Sequence, residues 1–182
     1  MKNIKTAALL TGLLFLANTG FCQPQSLYPL FEKKSLVRVA VALPTDVSEQ
    51  KSVNAGDVKK ELESALAARK SIRFQTLPSP EGADLTIDVQ ITEYYWTDHD
   101  PIDMLVGVGA AAMDAAMVEN YARLQAVFTV RDAKTQKTLW NDKLMATITG
   151  GTLTKENGPA MIAKEMAQVF IRNCFGKKQR SR

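Results

Sequence analysis

Hydrophobic and polar residues alternate along three stretches of the chain. In residues 85–92 single polar residues alternate with apolar ones, and the strand runs on into three aromatics at 94–96. Residues 124–130 repeat the alternation, and after a polar loop at 132–137 it returns over residues 140–148. A period of two predicts β-strands with one buried face. The short polar loop predicts that the last two strands form a hairpin.

Two other stretches have the period of an amphipathic helix. Residues 56–70 repeat apolar side chains at helical spacing, and Asn54 stands where an N-cap is expected. A final helix is predicted to open at residues 157–159, with a proline in its first turn, and to stop near Gly176. The predicted buried stripes are Val58, Leu62, Ala65 and Leu66 in the first helix and Ile162, Met166, Val169 and Phe170 in the second.

Two shorter β-rich runs, residues 36–43 and 72–77, are each followed by proline and are predicted as strands. The segment 45–54 between the first of them and the first helix is polar and reads as a loop. The resulting order is strand, helix, strand, strand, insert, strand, strand, helix. It predicts a two-layer α+β domain over residues 36–176, with a mainly antiparallel sheet and two helices packed on one face. Residues 23–35 hold two prolines without a clear period and are predicted to be an extended leader.

The N-terminus has the three parts of a secretory signal. Lys2 and Lys5 form the basic region, and residues 6–17 form an apolar stretch that is too short to span a bilayer. Uncharged residues then lead to Cys22. Cleavage after Cys22 would make residues 1–22 a signal peptide, so the sequence predicts an exported protein of the periplasm or outer envelope.

Cys22 can also be read as the lipid-bearing cysteine of a bacterial lipoprotein. A lipoprotein signal places an aliphatic residue three positions before the cysteine and a small residue immediately before it. Here those positions hold Thr19 and Phe21. The sequence therefore favours plain cleavage over lipidation.

The chain of 182 residues carries a formal net charge of +4, but this charge is not on the predicted domain. Lys2 and Lys5 belong to the signal, and four further positive charges lie in the tail 177–182. The tail lacks apolar anchors and is predicted to be disordered, with at most a weak attraction to anionic membrane surfaces. Without these two segments the charge is slightly negative, which argues against a nucleic-acid-binding face.

The chain resembles the small α+β domains of exported bacterial envelope proteins, such as the curli-secretion type, the penicillin-binding-protein activator type and several types of unknown function. The resemblance rests on the helix 56–70, the strand ADLTIDVQITEYYW (83–96), the segment LVGVGAAA (105–112), the hairpin LQAVFTVRDAKTQKTLW (124–140) and the terminal helix. It implies a binding or assembly module of the envelope without a known catalytic centre. It carries over no functional residues.

The residues that could support chemistry are few. The one histidine, His99, lies in a loop with Asp98, Asp100 and Asp103, which together offer one nitrogen and several oxygens to a divalent ion. Aspartates beside a proline are also typical of a solvated turn, and the spacing fits neither a zinc site nor a calcium loop. A solvated turn is therefore preferred, and the sequence predicts no cofactor.

Residues 104–118, which we call the insert, carry a single charge. Gly107, Ala111 and Ala115 recur every four residues, a stripe of small side chains that would allow another helix to approach closely. The insert either covers the sheet or exposes an apolar patch for association. Two further features have ordinary structural explanations: the aromatic run 94–96 as a packing cluster rather than a ligand platform, and Cys174 as a small buried residue.

The sequence therefore predicts a non-catalytic, exported envelope module that binds a protein partner or self-associates through the insert or a sheet edge. The alternative is a metal-dependent hydrolase that uses the loop from Asp98 to Asp103.

Overall fold

The computed structural model describes residues 25–51, 53–97 and 120–177. In chain order its elements are α1 (Tyr28–Phe31), β1 (Val37–Val41), β2 (Thr45–Asp46), α2 (Ala55–Ala67), β3 (Phe74–Leu77), β4 (Leu85–Thr97), β5 (Asn120–Asp132), β6 (Thr138–Gly150) and α3 (Gly158–Phe175). The strands form one sheet in the order β3-β1-β4-β5-β6, and β2 pairs with β4.

Most of the sheet is antiparallel, as predicted. β5 lies between β4 and β6 and pairs antiparallel with both along nearly its full length. The short strands pair in parallel, β1 with β3 and β4, and β2 with β4. Parallel neighbours require a crossover, and α2 supplies it between β1 and β3. The two-layer α+β class is therefore confirmed.

Both predicted helices form, with small shifts of their ends. Asn54 caps α2 as expected, because its side chain accepts a hydrogen bond of 2.7 Å from the amide of Gly56. α3 begins at Gly158 and ends before Gly176. A Cβ built on Gly176 would lie 2.0 Å from the carbonyl oxygen of Arg172, so only glycine fits this exit from the helix.

The predicted extended leader over residues 23–35 is wrong where the structure describes it. Residues 28–31 form α1, and Leu27 and Phe31 at its two ends are buried. Apolar side chains four residues apart lie on one side of a helical turn, which lets both reach the core. The amide of Leu27 also donates a 2.7 Å hydrogen bond to the carbonyl of Cys174 at the end of α3.

The segment 45–54, predicted as a loop, contains the two-residue strand β2. The amide of Val47 donates to the carbonyl of Ile91 at 3.0 Å, just beyond the paired residues. The pairing uses only backbone groups, and the segment is short and polar. It therefore has no hydrophobic period from which a strand could be predicted.

The core lies between α2, α3 and one face of the sheet, which we call the covered face. Phe170 of α3 is at its centre: its ring centroid lies 4.7 Å from that of Phe128, 5.7 Å from Trp140 and 5.8 Å from Phe175. No described helix packs on the opposite face, which we call the open face. It is formed by the intervening residues of β4, β5 and β6.

Candidate functional site

The site residues predicted from the sequence lie outside the described part of the chain. They are the metal candidates Asp98, His99, Asp100 and Asp103, the small-residue stripe Gly107, Ala111 and Ala115, and the lipidation candidate Cys22. Within residues 25–51, 53–97 and 120–177, no group of three or more His, Cys, Asp or Glu residues is arranged to hold a metal ion. In the same ranges, no helix has the length and apolarity needed to cross a bilayer.

Cys174, predicted to be a small buried residue, is fully buried in α3 and forms no disulfide. Burial raises the pKa of its thiol far above the ordinary value because the charged thiolate loses its hydration. The thiolate is the nucleophilic form, so Cys174 is a packing residue and the prediction is confirmed.

The aromatic run at the end of β4 divides between the two faces of the sheet. A β-bulge between Ile91 and Glu93 shifts the register with β5, so that Tyr94 and Trp96 follow Ile91 onto the covered face. Tyr95 therefore projects onto the open face, where its ring centroid lies 6.2 Å from that of Tyr121. These contacts confirm the prediction of a packing cluster at a strand end.

Tyr94 and Trp96 meet the first turn of α3. A Cβ on Gly158 would lie 3.3 Å from the indole ring and 3.4 Å from the Tyr94 hydroxyl, so glycine permits this close approach. The hydroxyl is enclosed and has no hydrogen-bond partner among the described residues. Burial raises the pKa of Tyr94, and the group stays neutral.

The open face carries two ion pairs between β4 and β5. Arg123 binds the carboxylate of Glu93, and Arg131 binds that of Asp88. Each arginine reaches a residue diagonally across from it, since Arg123 faces Tyr95 directly and Arg131 faces Thr86. The charges of Arg123 and Arg131 are thus balanced by carboxylates of the neighbouring strand.

β6 is an edge strand of 13 residues that pairs only with β5 in the described part of the chain. Trp140, Leu144 and Ala146 are buried on its covered side, as predicted. On its open side Met145 is 55% exposed, next to Lys143. About half of the backbone N–H and C=O groups of such a strand point outward, where another strand can pair with them.

A second free edge lies in the middle of the sheet. β2 pairs with β4 at Gln90 and Ile91, and residues 92–96 continue beyond this pairing with no paired strand on that side in the described part of the chain. Two cavities, of about 380 and 580 Å³, flank this edge and share Gln50 and Tyr94 as lining residues. Sequence analysis named a sheet edge as a possible contact but could not say which strand would form it, because each edge results from strand order.

No family model and no curated protein matches the chain. Solved structures with a similar fold include the PelC dodecamer from Paraburkholderia phytofirmans (TM-score 0.45, 15% identity, 73% of this chain and 85% of that chain). A lipoprotein from Neisseria meningitidis matches with a TM-score of 0.41 and 12% identity, over 72% of this chain and 96% of that chain. A minor lipoprotein from Acinetobacter baumannii matches with a TM-score of 0.39 and 15% identity, over 74% of this chain and 89% of that chain. Bacterial lipoproteins are of the general kind that the sequence resembles. The likeness is a distant one of fold, and it says nothing about function.

Proposed function

We propose that the protein is an exported, non-catalytic module of the bacterial cell envelope that self-associates by pairing its β6 strand with β6 of a second copy. The observation that carries this proposal is the edge of β6, 13 residues long, beside which no other described strand than β5 lies. Unpaired backbone groups along an edge strand are a template for a further strand, and residues 138–150 contain no proline that would prevent pairing.

The side chains of β6 suit an antiparallel pair related by a two-fold axis. Residues directly opposite each other in such a pair lie on the same face of the sheet. With Met145 on the axis, Lys143 lies opposite Thr147 of the second copy, and no like charges meet. With Lys143 on the axis, two lysines would face each other, which is unfavourable. Pairing centred on Met145 would also cover its exposed side chain.

The export part of the proposal rests on residues 1–22, whose basic and apolar regions are those of a secretory signal. Fractionation of the native host tests it, together with intact-mass analysis. We expect the protein in the envelope fraction with Gln23 as its first residue. An unprocessed chain starting at Met1 would contradict export, and a diacyl mass increment on Cys22 would establish lipidation instead of plain cleavage.

Self-association is tested with the mature chain, residues 23–182, by light scattering over a range of concentrations. We expect a dimer, which Met145→Lys converts to a monomer because two lysines would then meet at the two-fold axis. The matched control is Gln90→Lys, which adds the same charge to the open face at an exposed position on β4, away from the β6 edge.

Both variants should keep the wild-type fold, checked by circular dichroism, since both positions are exposed. A wild type that is monomeric at every concentration would contradict the proposal. A dimer that survives Met145→Lys, or one that Gln90→Lys disrupts equally, would place the contact elsewhere.

A further inference from the structure

The outer edge of β6 faces another part of the chain at its beginning. A cavity of about 400 Å³ is lined on one side by residues 138–141 of β6 and on the other by residues of the segment 25–30, which leads into α1. The side-chain amide of Asn141 donates to the hydroxyl of Thr129 on the open face at 2.7 Å, whereas Trp140 is buried on the covered face. Because β5 occupies the inner edge of β6, a space that contacts both residues borders the outer edge. We call it the α1 cavity.

The segment 25–30 is attached to the end of α3. The amide of Leu27 donates to the carbonyl of Cys174, and the hydroxyl of Ser26 donates to the carbonyl of Gly176 at 2.6 Å. Among the described residues, no hydrogen bond joins this segment to residues 138–141. The segment therefore stands beside the start of β6 without pairing with it, and the backbone groups on the outer edge of β6 stay available there.

The pairing proposed above determines which residues of a second copy reach the α1 cavity. With Met145 on the two-fold axis, Thr149 and Gly150 of the second copy lie opposite Asn141 and Trp140. The next two residues of the second copy, a glycine and a threonine, follow along the cavity. The described residues that line the cavity are all uncharged, and so are these four residues of the second copy.

The register also decides the size of the residues that enter. With Lys143 on the axis, residues 145–148 would come to the α1 cavity, and Met145 among them is large. With Thr147 on the axis, residues 153–156 would come there, and they lie beyond the end of β6. The register that keeps two lysines apart is therefore also the one that brings two glycines to the cavity.

We propose that the α1 cavity of each protomer receives Gly150 and Gly151 of the other, so that a contact with the α1 segment closes each end of the paired strands. This inference rests on the proposed β6 pairing and names a further surface of the same interface. It would also cover Leu30, which lines the cavity and is 59% exposed, and burial of apolar surface stabilises an association.

Paired cysteines test this contact directly. Leu30→Cys and Gly151→Cys are combined in the mature chain, residues 23–182, whose own Cys174 is buried. Within one chain the two positions lie near opposite ends of β6, roughly 30 Å apart, so no disulfide can join them. In the paired copies they meet in the α1 cavity, and mild oxidation should give a covalent dimer on a non-reducing gel.

Three controls accompany the double variant. Each single cysteine variant should give no covalent dimer, because the two copies of either position lie at opposite ends of the pair. Leu43→Cys, at another exposed leucine outside the cavity, should give none in combination with Gly151→Cys. Adding Met145→Lys to the double variant should abolish the covalent dimer.

Gly151→Phe tests the fit by size. No described atom lies within 4 Å of a Cβ built on Gly151, and its φ is not left-handed, so the variant should fold as the wild type does. In the dimer the ring would overfill the α1 cavity, which should raise the dissociation constant about tenfold or more. Ala67→Phe, at an exposed position on α2, is the matched control and should leave the dissociation constant unchanged.

The outcomes separate this contact from the pairing itself. Suppose that the wild type is a dimer which Met145→Lys disrupts. If the double cysteine variant then gives no covalent dimer, or if Gly151→Phe dimerises as well as the wild type, the α1 contact is overturned and the β6 pairing stands. A covalent dimer that persists with Met145→Lys would also overturn the α1 contact, since the contact would not depend on the pairing. A monomeric wild type would contradict the pairing and this contact with it.

Discussion

The covered and open faces of the sheet are built from alternate residues of the same three strands, yet they are held together by different forces. On the covered face of β5, residues such as Phe128 and Val130 are completely buried against α3. On its open face, Arg123 and Arg131 form ion pairs that remain partly exposed. Burial of apolar surface is the larger source of stability, and exposed ion pairs contribute little. The covered face therefore specifies the fold, and the open face with its edges is free to evolve contacts.

The sharpest test of the covered face is the reactivity of Cys174, which would be the only thiol after cleavage at Cys22. Burial in α3 and the raised pKa of the thiol should make the native protein inert to an aromatic disulfide reagent at mildly alkaline pH. We expect labelling about a thousandfold or more slower than in unfolding concentrations of urea, because the thiol is exposed only when the core opens. Native labelling as fast as that of a free cysteine would show that α3 detaches from the sheet.

Removing one central ring should destabilise the fold more than any change on the open face. Phe170→Ala takes away the contacts with Phe128, Trp140 and Phe175 and should lower the free energy of unfolding by about 3–5 kcal/mol. Val127→Ala, on the open face next to Phe128 in sequence, should cost less than about 1 kcal/mol. Urea denaturation of both variants gives the two values, and equal losses would contradict the contrast between the faces.

Most of the contrast between the covered and open faces could be predicted from the sequence, because it follows from the periodic spacing of apolar side chains. The alternation in residues 85–91 and 140–148 identified the buried side chains, and the stripe from Ile162 to Phe170 identified the face of α3. The regular alternation between covered-face and open-face residues along β4 is interrupted at Thr92. Continued alternation would place Glu93 and Tyr95 on the covered face, but the bulge exchanges them with Tyr94 and Trp96. A bulge is a property of the pairing between two strands, and neither strand encodes it alone.

The candidate sites were beyond sequence analysis for a related reason. The cavities beside β4 combine residues near positions 50, 94 and 156, which are brought together only by the order of the strands and the placement of α3. Likewise, the parallel strands β1, β2 and β3 pair through backbone groups over two to four residues, too short a length for a period to appear. The helix α1 was missed because a single turn has no repeat.

A smaller contribution to the free energy of unfolding is expected from the ion pairs of the open face. A double-mutant cycle with Glu93→Gln and Arg123→Met measures the coupling of one ion pair by urea denaturation. Because both side chains are about one third exposed, we expect a coupling of at most about 1 kcal/mol. It should decrease when the salt concentration is raised. A coupling of several kcal/mol that is insensitive to salt would mean that the open face is shielded from solvent.

The smallest expected effect concerns the turn that joins β5 to β6 and thereby positions the β6 edge. Asp132 accepts hydrogen bonds from the amide of Thr135 at 2.8 Å, its hydroxyl at 2.9 Å and the amide of Lys134 at 3.0 Å. These hydrogen bonds lower the pKa of the Asp132 carboxyl below its ordinary value, and the bond from the Thr135 amide has the largest effect. The charged form is favoured in the folded state, so its stabilisation is complete above the ordinary pKa of about 3.9 and is lost as the pH falls through the lowered value.

Asp132→Ala should therefore lower the melting temperature at neutral pH by at most about 3 °C. The difference from wild type should stay constant from neutral pH down to about pH 4 and shrink in more acidic solution. Glu81→Ala, at an exposed position in the turn before β4, is a control for the general acid sensitivity of the protein. If the difference grew on acidification, the charged carboxylate would be opposing the turn, and the hydrogen bonds of Asp132 would not be what holds the hairpin closed.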